Sequence, residues 1–507
     1  MSTSGLLYEH LRNWAATRPE APFLIEAETG VTLTYKQSFT ACQAMRQHLG
    51  AEPRSILLGL PGGIANAIVW LSALTGGHTL IPIAPDAPAQ EVLRVTDLFP
   101  PDVIIADQAV GQESLGQPRT PMLTKRDCEM LIHHAAFDAG PALPPIEGRA
   151  CLRTSGSTGQ PKSVLLGEQQ IAWAAGQVRR SHQLSPSDRG LAVLPFFHVN
   201  APVVSLCASL LAGSSVVIAS RFSRSRFWSW IEHYRVTWAS IVPTILALVL
   251  QTERPAFLPG TLRFVRTASA PLPAIQLLQF ERQFGVPVIE TYGLTEAGSQ
   301  VCANPLPPAR HMPGSVGKPV GIALRICCPS TAAGQPLQEV APGETGEICV
   351  AGPSVVSGYV GTTETNTFQG SWFRTGDLGY QDAEGHVYLI GRLRETILRG
   401  GESIAPREVE EVLLAHPAVR EAAVIGRPDA LYGEQVVAYL AARETWTEAL
   451  EQSLRAHCAE HLTKHKVPSA FIPTDALPRT LTGKIDRQRL PWHEQAHQAP
   501  EVDIHAA

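Results

Sequence analysis

Residues Thr154 to Lys162 read TSGSTGQPK, a run of glycines and hydroxyls closed by a Pro-Lys pair. Glycine lets a backbone approach a ligand closely, and Gly156 and Gly159 provide that here. The hydroxyls of Thr154, Ser155, Ser157 and Thr158 supply donors and Lys162 a cation, together the set a polyphosphate needs. The run is not a Walker A loop, which carries Gly directly before its Lys, because Pro161 stands there. On either side, Ala150-Cys151-Leu152-Arg153 and Ser163-Val164-Leu165-Leu166 read as short strands. The loop is therefore expected to bridge a hairpin, with no helix N-terminus aimed at the phosphates. Taken alone, a ligand-free Ser/Gly turn accounts for the stretch equally well.

Outward from this loop the chain alternates. Ser55-Ile56-Leu57-Leu58-Gly59, Leu80-Ile81-Pro82-Ile83 and Val103-Ile104-Ile105-Ala106 are short apolar runs with helical patterns between them, such as Ile64 to Leu74. The rhythm resumes at Leu191 to Leu194, Ser215 to Ile218, Ala239 to Val242, Leu262 to Val265 and Val286 to Ile289. Short apolar runs separated by helices mark an α/β fold with parallel-type sheets and packed helices. Leu6 to Thr17 reads as an amphipathic helix, and Phe23-Leu24-Ile25 with Leu33-Thr34-Tyr35 as a small hairpin. From about Gly314 the texture becomes closely spaced strands, a β subdomain over 314–393. After Gly391-Arg392 there is a small α+β tail with helices over Arg407 to Ala415 and Glu448 to Leu462. The expected division is 1–393 and 394–507, since 507 residues exceed one compact core.

Composition narrows the function. Apolar residues make up 44% and charged residues 17%, so the chain can bury a sizeable core. A net charge of −5 argues against a nucleic-acid or membrane surface, and any anion must be held by a local site. The first twenty residues carry charges throughout and do not read as a signal peptide, and no apolar run is long enough to span a bilayer. Nine cysteines without a C-x-x-C pair fit reduced thiols in a cytoplasmic protein.

Further motifs follow in order. Tyr292-Gly293-Leu294-Thr295-Glu296 sets a hydroxyl and a carboxylate after an apolar run, suited to a phosphate and its Mg²⁺; a helix N-cap Thr with an acidic first turn reads equally well. Phe373 to Gly379 adds Asp377, able to accept both hydroxyls of a ribose or simply to stabilise a turn. Gly391-Arg392 and Arg399-Gly400-Gly401-Glu402 bracket the expected hinge, and Leu481-Thr482-Gly483-Lys484 puts a lysine in a late turn. Spacing also lines up His457, His461 and His465, but with no paired carboxylate ligand they read as solvated or half-buried histidines near a helix C-terminus, not a zinc site. Trp228, Trp230, Tyr234 and Trp238 read as packing aromatics.

Together TSGSTGQPK, YGLTE, FRTGDLG, GRLRE with RGGESIAP, and LTGK resemble, from about Leu7 to Leu490, the adenylate-forming superfamily. Within it the chain looks most like the acyl-CoA synthetases that include oxalate–CoA ligases. The resemblance implies ATP-dependent conversion of a small-molecule carboxylic acid to an acyl-adenylate, then transfer to a thiol. That thiol is coenzyme A or, alternatively, the phosphopantetheine of a carrier protein loaded in trans. It further implies that Thr154 to Lys162 embraces the β- and γ-phosphates, Thr295 holds the α-phosphate, Glu296 binds Mg²⁺, and Asp377 with Arg392 grips the ribose. Tyr292, Gly293 and the segment Ala268-Ser269-Ala270 would line the adenine pocket. Lys484 would bridge the acid and the α-phosphate. Rotation of a mobile C-terminal domain about Arg394, where relatives usually carry Lys or Asp, would then exchange Lys484 for Gly400 and Gly401. His198 would face the acyl group or gate the thiol channel. Dimers are common among relatives, so a homodimer is admissible. Two departures stand out: Asn200-Ala201 replaces a common His-Gly after His198-Val199, and no aspartate lies between Leu194 and Leu211 to hold an α-ammonium group.

Overall fold

Strands that are apolar on both faces must be covered on both faces, and this sets the architecture. The computed structural model describes residues 5–107, 120–135, 143–154, 162–255, 260–329, 337–361, 367–479 and 484–490. A six-stranded sheet runs Met122–Leu123, Val103–Ala106, Ser55–Gly59, Thr79–Pro82, Arg149–Arg153, Ser163–Gly167. Its strands are parallel apart from the last pair, which is antiparallel. The helix Ile64–Thr75, buried along its whole length, connects two of its neighbours. A helix apolar all round belongs inside, and Trp70 at its centre is fully enclosed.

The second sheet has nine strands in the order Lys318–Pro319, Ser299–Ala303, Val288–Leu294, Phe264–Thr267, Trp238–Ile241, Arg189–Ala192, Ser215–Ile218, Pro22–Glu26, Thr32–Thr34. The six from Val288–Leu294 to Pro22–Glu26 are mutually parallel, with antiparallel strands at the edges. Trp238, Trp230 and Phe227 are buried, and Trp228 stacks on Phe280 and meets Phe284 at a tilt, so the aromatic cluster is packing. Tyr35, read as strand, instead opens the helix Tyr35–Leu49. Thr34 and Gln37 form a capping box there, which satisfies two orphan donors and fixes the helix start.

A third sheet runs Ala323–Cys327, Gly346–Ala351, Trp372–Gln381, Phe368–Gln369. Packing divides the chain into two units, Met1–Thr375 with Gln381–Tyr388, and Gly376–Tyr380 with Leu389–Ala507. The second unit has its own sheet, Glu402–Ile404, Ile397–Arg399, Gly433–Ala442, Val419–Asp429, with Ala470–Pro473 parallel to Gly433–Ala442. Helices Pro406–Ala415 and Glu448–His461 bury Val409, Leu413, Leu454 and Cys458 against it. Pro406 occupies the first turn of its helix, where a missing N–H costs nothing. His457 and His461 share a face of the later helix with rings 4.5 Å apart, while His465 falls in the turn Lys464–Lys466. Among the described residues no group of His, Cys, Asp or Glu could hold a metal by itself.

His78 is fully buried and accepts a hydrogen bond on Nδ1 from the Arg54 N–H at 3.3 Å. Burial, then the charges of Arg54 and Arg46, push its pKa down to about 4. Below pH 6.5 the unfolded chain takes a proton that the folded chain refuses, so this contribution is complete above pH 6.5 and lost as pH falls towards 4. Melting temperature should therefore drop over that window. In His78→Asn, whose side-chain carbonyl can still accept from Arg54, the slope should flatten; an unchanged slope would exclude His78 as its source.

Candidate active site

The two strands that flank the hydroxyl-rich loop pair with each other. Arg149–Arg153 and Ser163–Gly167 pair antiparallel with Arg153 opposite Ser163, and Thr154 N donates to Lys162 O at 2.8 Å. Closing the ladder at that pair fixes both ends of the loop. Ser155, Gly156, Ser157, Thr158 and Gly159 lie outside the described residues.

The strand Val288–Leu294 continues through the tyrosine and glycine of its motif, and Thr295–Ala297 forms one turn of 3₁₀ helix. The N-cap of that turn is Leu294, so Thr295 is not a helix cap. Gly293 is obligatory: a Cβ there would stand 1.6 Å from the Ser299 carbonyl oxygen of the neighbouring strand. Tyr292 and Glu296 are buried. Beside them, Thr291 Oγ1 donates to the Thr267 carbonyl at 2.9 Å, tying the end of one strand to the next. Two residues further on, Ser269 is held at φ +74°, a left-handed conformation that costs a serine about 1 kcal/mol or more and that structures retain mostly at functional loops.

Tyr359, which sequence reasoning did not single out, joins these two motifs. Its phenol donates to Glu296 Oε1 at 2.9 Å, and the Lys162 ammonium lies 4.7 Å from its ring centroid. The backbone around it is tied to both as well. Val356 N donates to the Glu296 carbonyl and Val360 N to the Ser163 carbonyl, each at 2.8 Å. Lys162 and Glu296, from two separate sequence motifs, thus meet on one side chain. The only sequence signal was a Gly-Tyr pair in an irregular stretch, which carries no chemistry by itself.

His198 sits just before the π-helical segment Asn200–Cys207, its ring 4.6 Å from that of Phe197. The Asn200 departure has a structural partner. Ser240 Oγ donates to Asn200 Oδ1 at 3.0 Å and accepts from Arg266 Nη1 at 3.1 Å. Arg266 is fully enclosed, and burial alone pushes its pKa down to about 9.

The other candidates belong to the second unit. Asp377, buried, pairs with Arg392 Nε at 3.0 Å. Gly400 and Gly401 lie at φ +58° and +86° between paired Arg399 and Glu402, a two-residue hairpin turn requiring two left-handed residues. Gly400 N donates to the Tyr432 carbonyl at 2.8 Å. Lys484 follows residues 480–483, which lie outside the described residues. The described residues on either side are joined by an antiparallel bridge of Arg479 with Ile485 and by Asp486 N donating to the Pro478 carbonyl at 2.7 Å. Ile485 packs beside Leu477 and Tyr439, so the backbone carrying Lys484 is anchored. Behind it Arg487 pairs with Glu410 at 2.6 Å and faces Glu395 at 3.9 Å. Burial lowers its pKa, but those two carboxylates outweigh burial and the net shift is upward.

The AMP-binding enzyme family profile matches residues 11–360, and that of the AMP-binding enzyme C-terminal domain matches 408–484. The chain belongs to the AMP-binding enzyme family. This member is 37% identical over 499 residues to a sulfoacetate–CoA ligase of Cupriavidus necator, covering 94% of this chain and 96% of that one. It is 41% identical over 358 residues to an oxalate–CoA ligase of Arabidopsis thaliana, 69% of this chain and 68% of that one. Its fold matches the O-succinylbenzoate coenzyme A synthetase of Bacillus subtilis in complex with ATP and magnesium ion. That match has a TM-score of 0.79 and 29% identity, and covers 95% of this chain and 98% of the other. Like other acyl-CoA synthetases of the adenylate-forming superfamily, this family member is an acid–thiol ligase that activates a carboxylic acid through its adenylate. Among the described residues no helix is long and apolar enough to cross a membrane.

Proposed function

We propose that the chain joins coenzyme A to a small acid that carries a second anionic group. The observation that carries the nucleotide half of this reading is the meeting of Lys162 and Glu296 on Tyr359. It supports one polyphosphate site built from the hairpin loop and the YGLTE motif. Glu296 is a buried carboxylate next in the chain to the Thr295 hydroxyl, and Mg²⁺ takes hard oxygen ligands from one or two carboxylates plus phosphates. The residues fit that ion. When bound, it would neutralise phosphate charge that otherwise opposes attack by a carboxylate.

In this reading Thr295 holds the α-phosphate, Thr154 and Lys162 the outer phosphates, Tyr292 and Ser269-Ala270 the adenine, and Asp377 with Arg392 the ribose. Lys484 bridges the acid and the α-phosphate in the first step. In the second step, rotation about Arg394 brings Gly400-Gly401 to the thiol. The domains of this reading are 1–393 and 394–507; the packing division falls a few residues earlier, between Tyr388 and Leu389, and also assigns Gly376–Tyr380 to the second unit. Nine unbridged cysteines support a cytoplasmic location.

The acid class rests on the relatives, whose named acids, sulfoacetate and oxalate, each carry a second anionic group. Arg266, linked through Ser240 to Asn200, adds positive potential near Asn200, which favours an anionic acyl group. A pyrophosphate-release panel tests this. Sulfoacetate, oxalate, malonate or succinate should exceed acetate, propionate and benzoate by at least tenfold in kcat/KM. A panel led by the monoanionic acids would refute the acid class, and one with no acid above background would refute the substrate assignment altogether. Mass spectrometry of the product formed with free coenzyme A, against that formed with a purified carrier protein, separates the two thiols.

A further inference from the structure

We infer that Tyr359 is a positioning residue for the metal–nucleotide complex, setting the Glu296 carboxylate through its hydroxyl while its ring face seats the Lys162 ammonium. The inference rests on the assignment of Glu296 to the metal and goes beyond it, because that assignment gives Tyr359 no role. Two parts of one side chain hold two groups of opposite charge. The hydroxyl is 2.9 Å from Glu296 Oε1, a charge-assisted hydrogen bond that selects one carboxylate rotamer. The ring centre is 4.7 Å from Lys162 Nζ, inside the range of about 6 Å over which a cation is attracted to a tyrosine face.

The tyrosine is itself held. Phe368 and Phe373 meet its ring edge-on, with centroids 6.0 and 6.4 Å away. The backbone hydrogen bonds of Val356 to Glu296 and of Val360 to Ser163 fasten the strap from Val356 to Val360 at both ends. A group fastened to both motifs makes the placement of the lysine and that of the carboxylate depend on one another. Arrangements of this kind matter most where a ligand must meet several groups at once, since preorganised groups lose little freedom on binding.

Tyr359→Phe separates positioning from packing. It keeps the ring, its aromatic neighbours and the seat for Lys162, and removes only the hydroxyl. Calorimetric titration with ATP, in excess Mg²⁺ and in chelator, gives a readout independent of turnover. Because the hydroxyl acts on the ion only through Glu296, its loss should weaken Mg²⁺·ATP binding about three- to tenfold, the net worth of an ordinary hydrogen bond. Binding of ATP in chelator should stay at the parent value. In a Glu296→Gln background the same Tyr359→Phe change should have no further effect, because the partner charge is already gone. Equal weakening in both media, no weakening, or a loss that persists in Glu296→Gln would each overturn the inference. A parent protein whose ATP affinity ignores Mg²⁺ altogether would instead refute the assignment of Glu296, and the inference with it.

Discussion

Replacing Lys484 by alanine is expected to slow formation of the acyl-adenylate by about 10²–10³-fold, while thiolysis of a supplied acyl-adenylate stays near the parent rate. The first step brings a carboxylate anion against the α-phosphate of another anion, and charge gathers on the oxygens between them. One preorganised ammonium there is worth roughly 3–4 kcal/mol of barrier. Once the adenylate exists that task is done, and the second step needs a thiol in its place. Truncating the Lys484 side chain should leave folding intact, because the backbone beside it is held by the Arg479–Ile485 bridge and by the packing of Ile485. ATP–pyrophosphate exchange reads the first half-reaction, and single-turnover conversion of purified acyl-adenylate with coenzyme A reads the second. Equal loss of both would remove Lys484 from the role proposed for it.

The largest effect on stability is expected at Glu347. Its carboxylate pairs with Arg374 through Nε at 2.9 Å and also through Nη2, and both side chains are buried. Glu347→Ala would leave the guanidinium enclosed without its counter-ion, a situation that costs about 3–5 kcal/mol. Replacing both partners by apolar residues avoids that penalty, so Glu347→Leu combined with Arg374→Met should be markedly more stable than Glu347→Ala alone. Urea denaturation of the three proteins measures the difference. A Glu347→Ala midpoint within error of the parent would mean that the pair contributes little. Arg374 lies in the strand Trp372–Gln381, which also carries Asp377, so the pair braces a strand that the proposed ribose site uses.

The sequence marked the α/β architecture where strands were continuous apolar runs punctuated by Gly and Pro, as at Ser55–Gly59 and Val103–Ala106. It also marked the hairpin around TSGSTGQPK, because two short apolar runs separated by a polar loop admit few other structures. It misplaced element ends. The apolar run Val286 to Ile289 ends before the strand does, which spans Val288–Leu294. The strand continues because Gly293 packs against the carbonyl of Ser299, a contact only a neighbouring strand can supply. Tyr359, Arg266 and Glu347 were not legible as site or support residues. Each draws its meaning from a partner far along the chain: Glu296 and Lys162 for the first, Ser240 for the second and Arg374 for the third.

By itself, then, the order of residues determined which local segments could become strand, helix or turn, and which functional groups were available for phosphate chemistry. Those properties depend on side-chain size, backbone freedom and charge within a few neighbours. Folding decided which groups meet. The Lys162–Tyr359–Glu296 contact, the Asn200–Ser240–Arg266 relay and the enclosed Arg374–Glu347 pair exist only because sheet register and packing bring distant segments within hydrogen-bonding range. Burial then raises the consequence of each pairing, since water no longer competes for it.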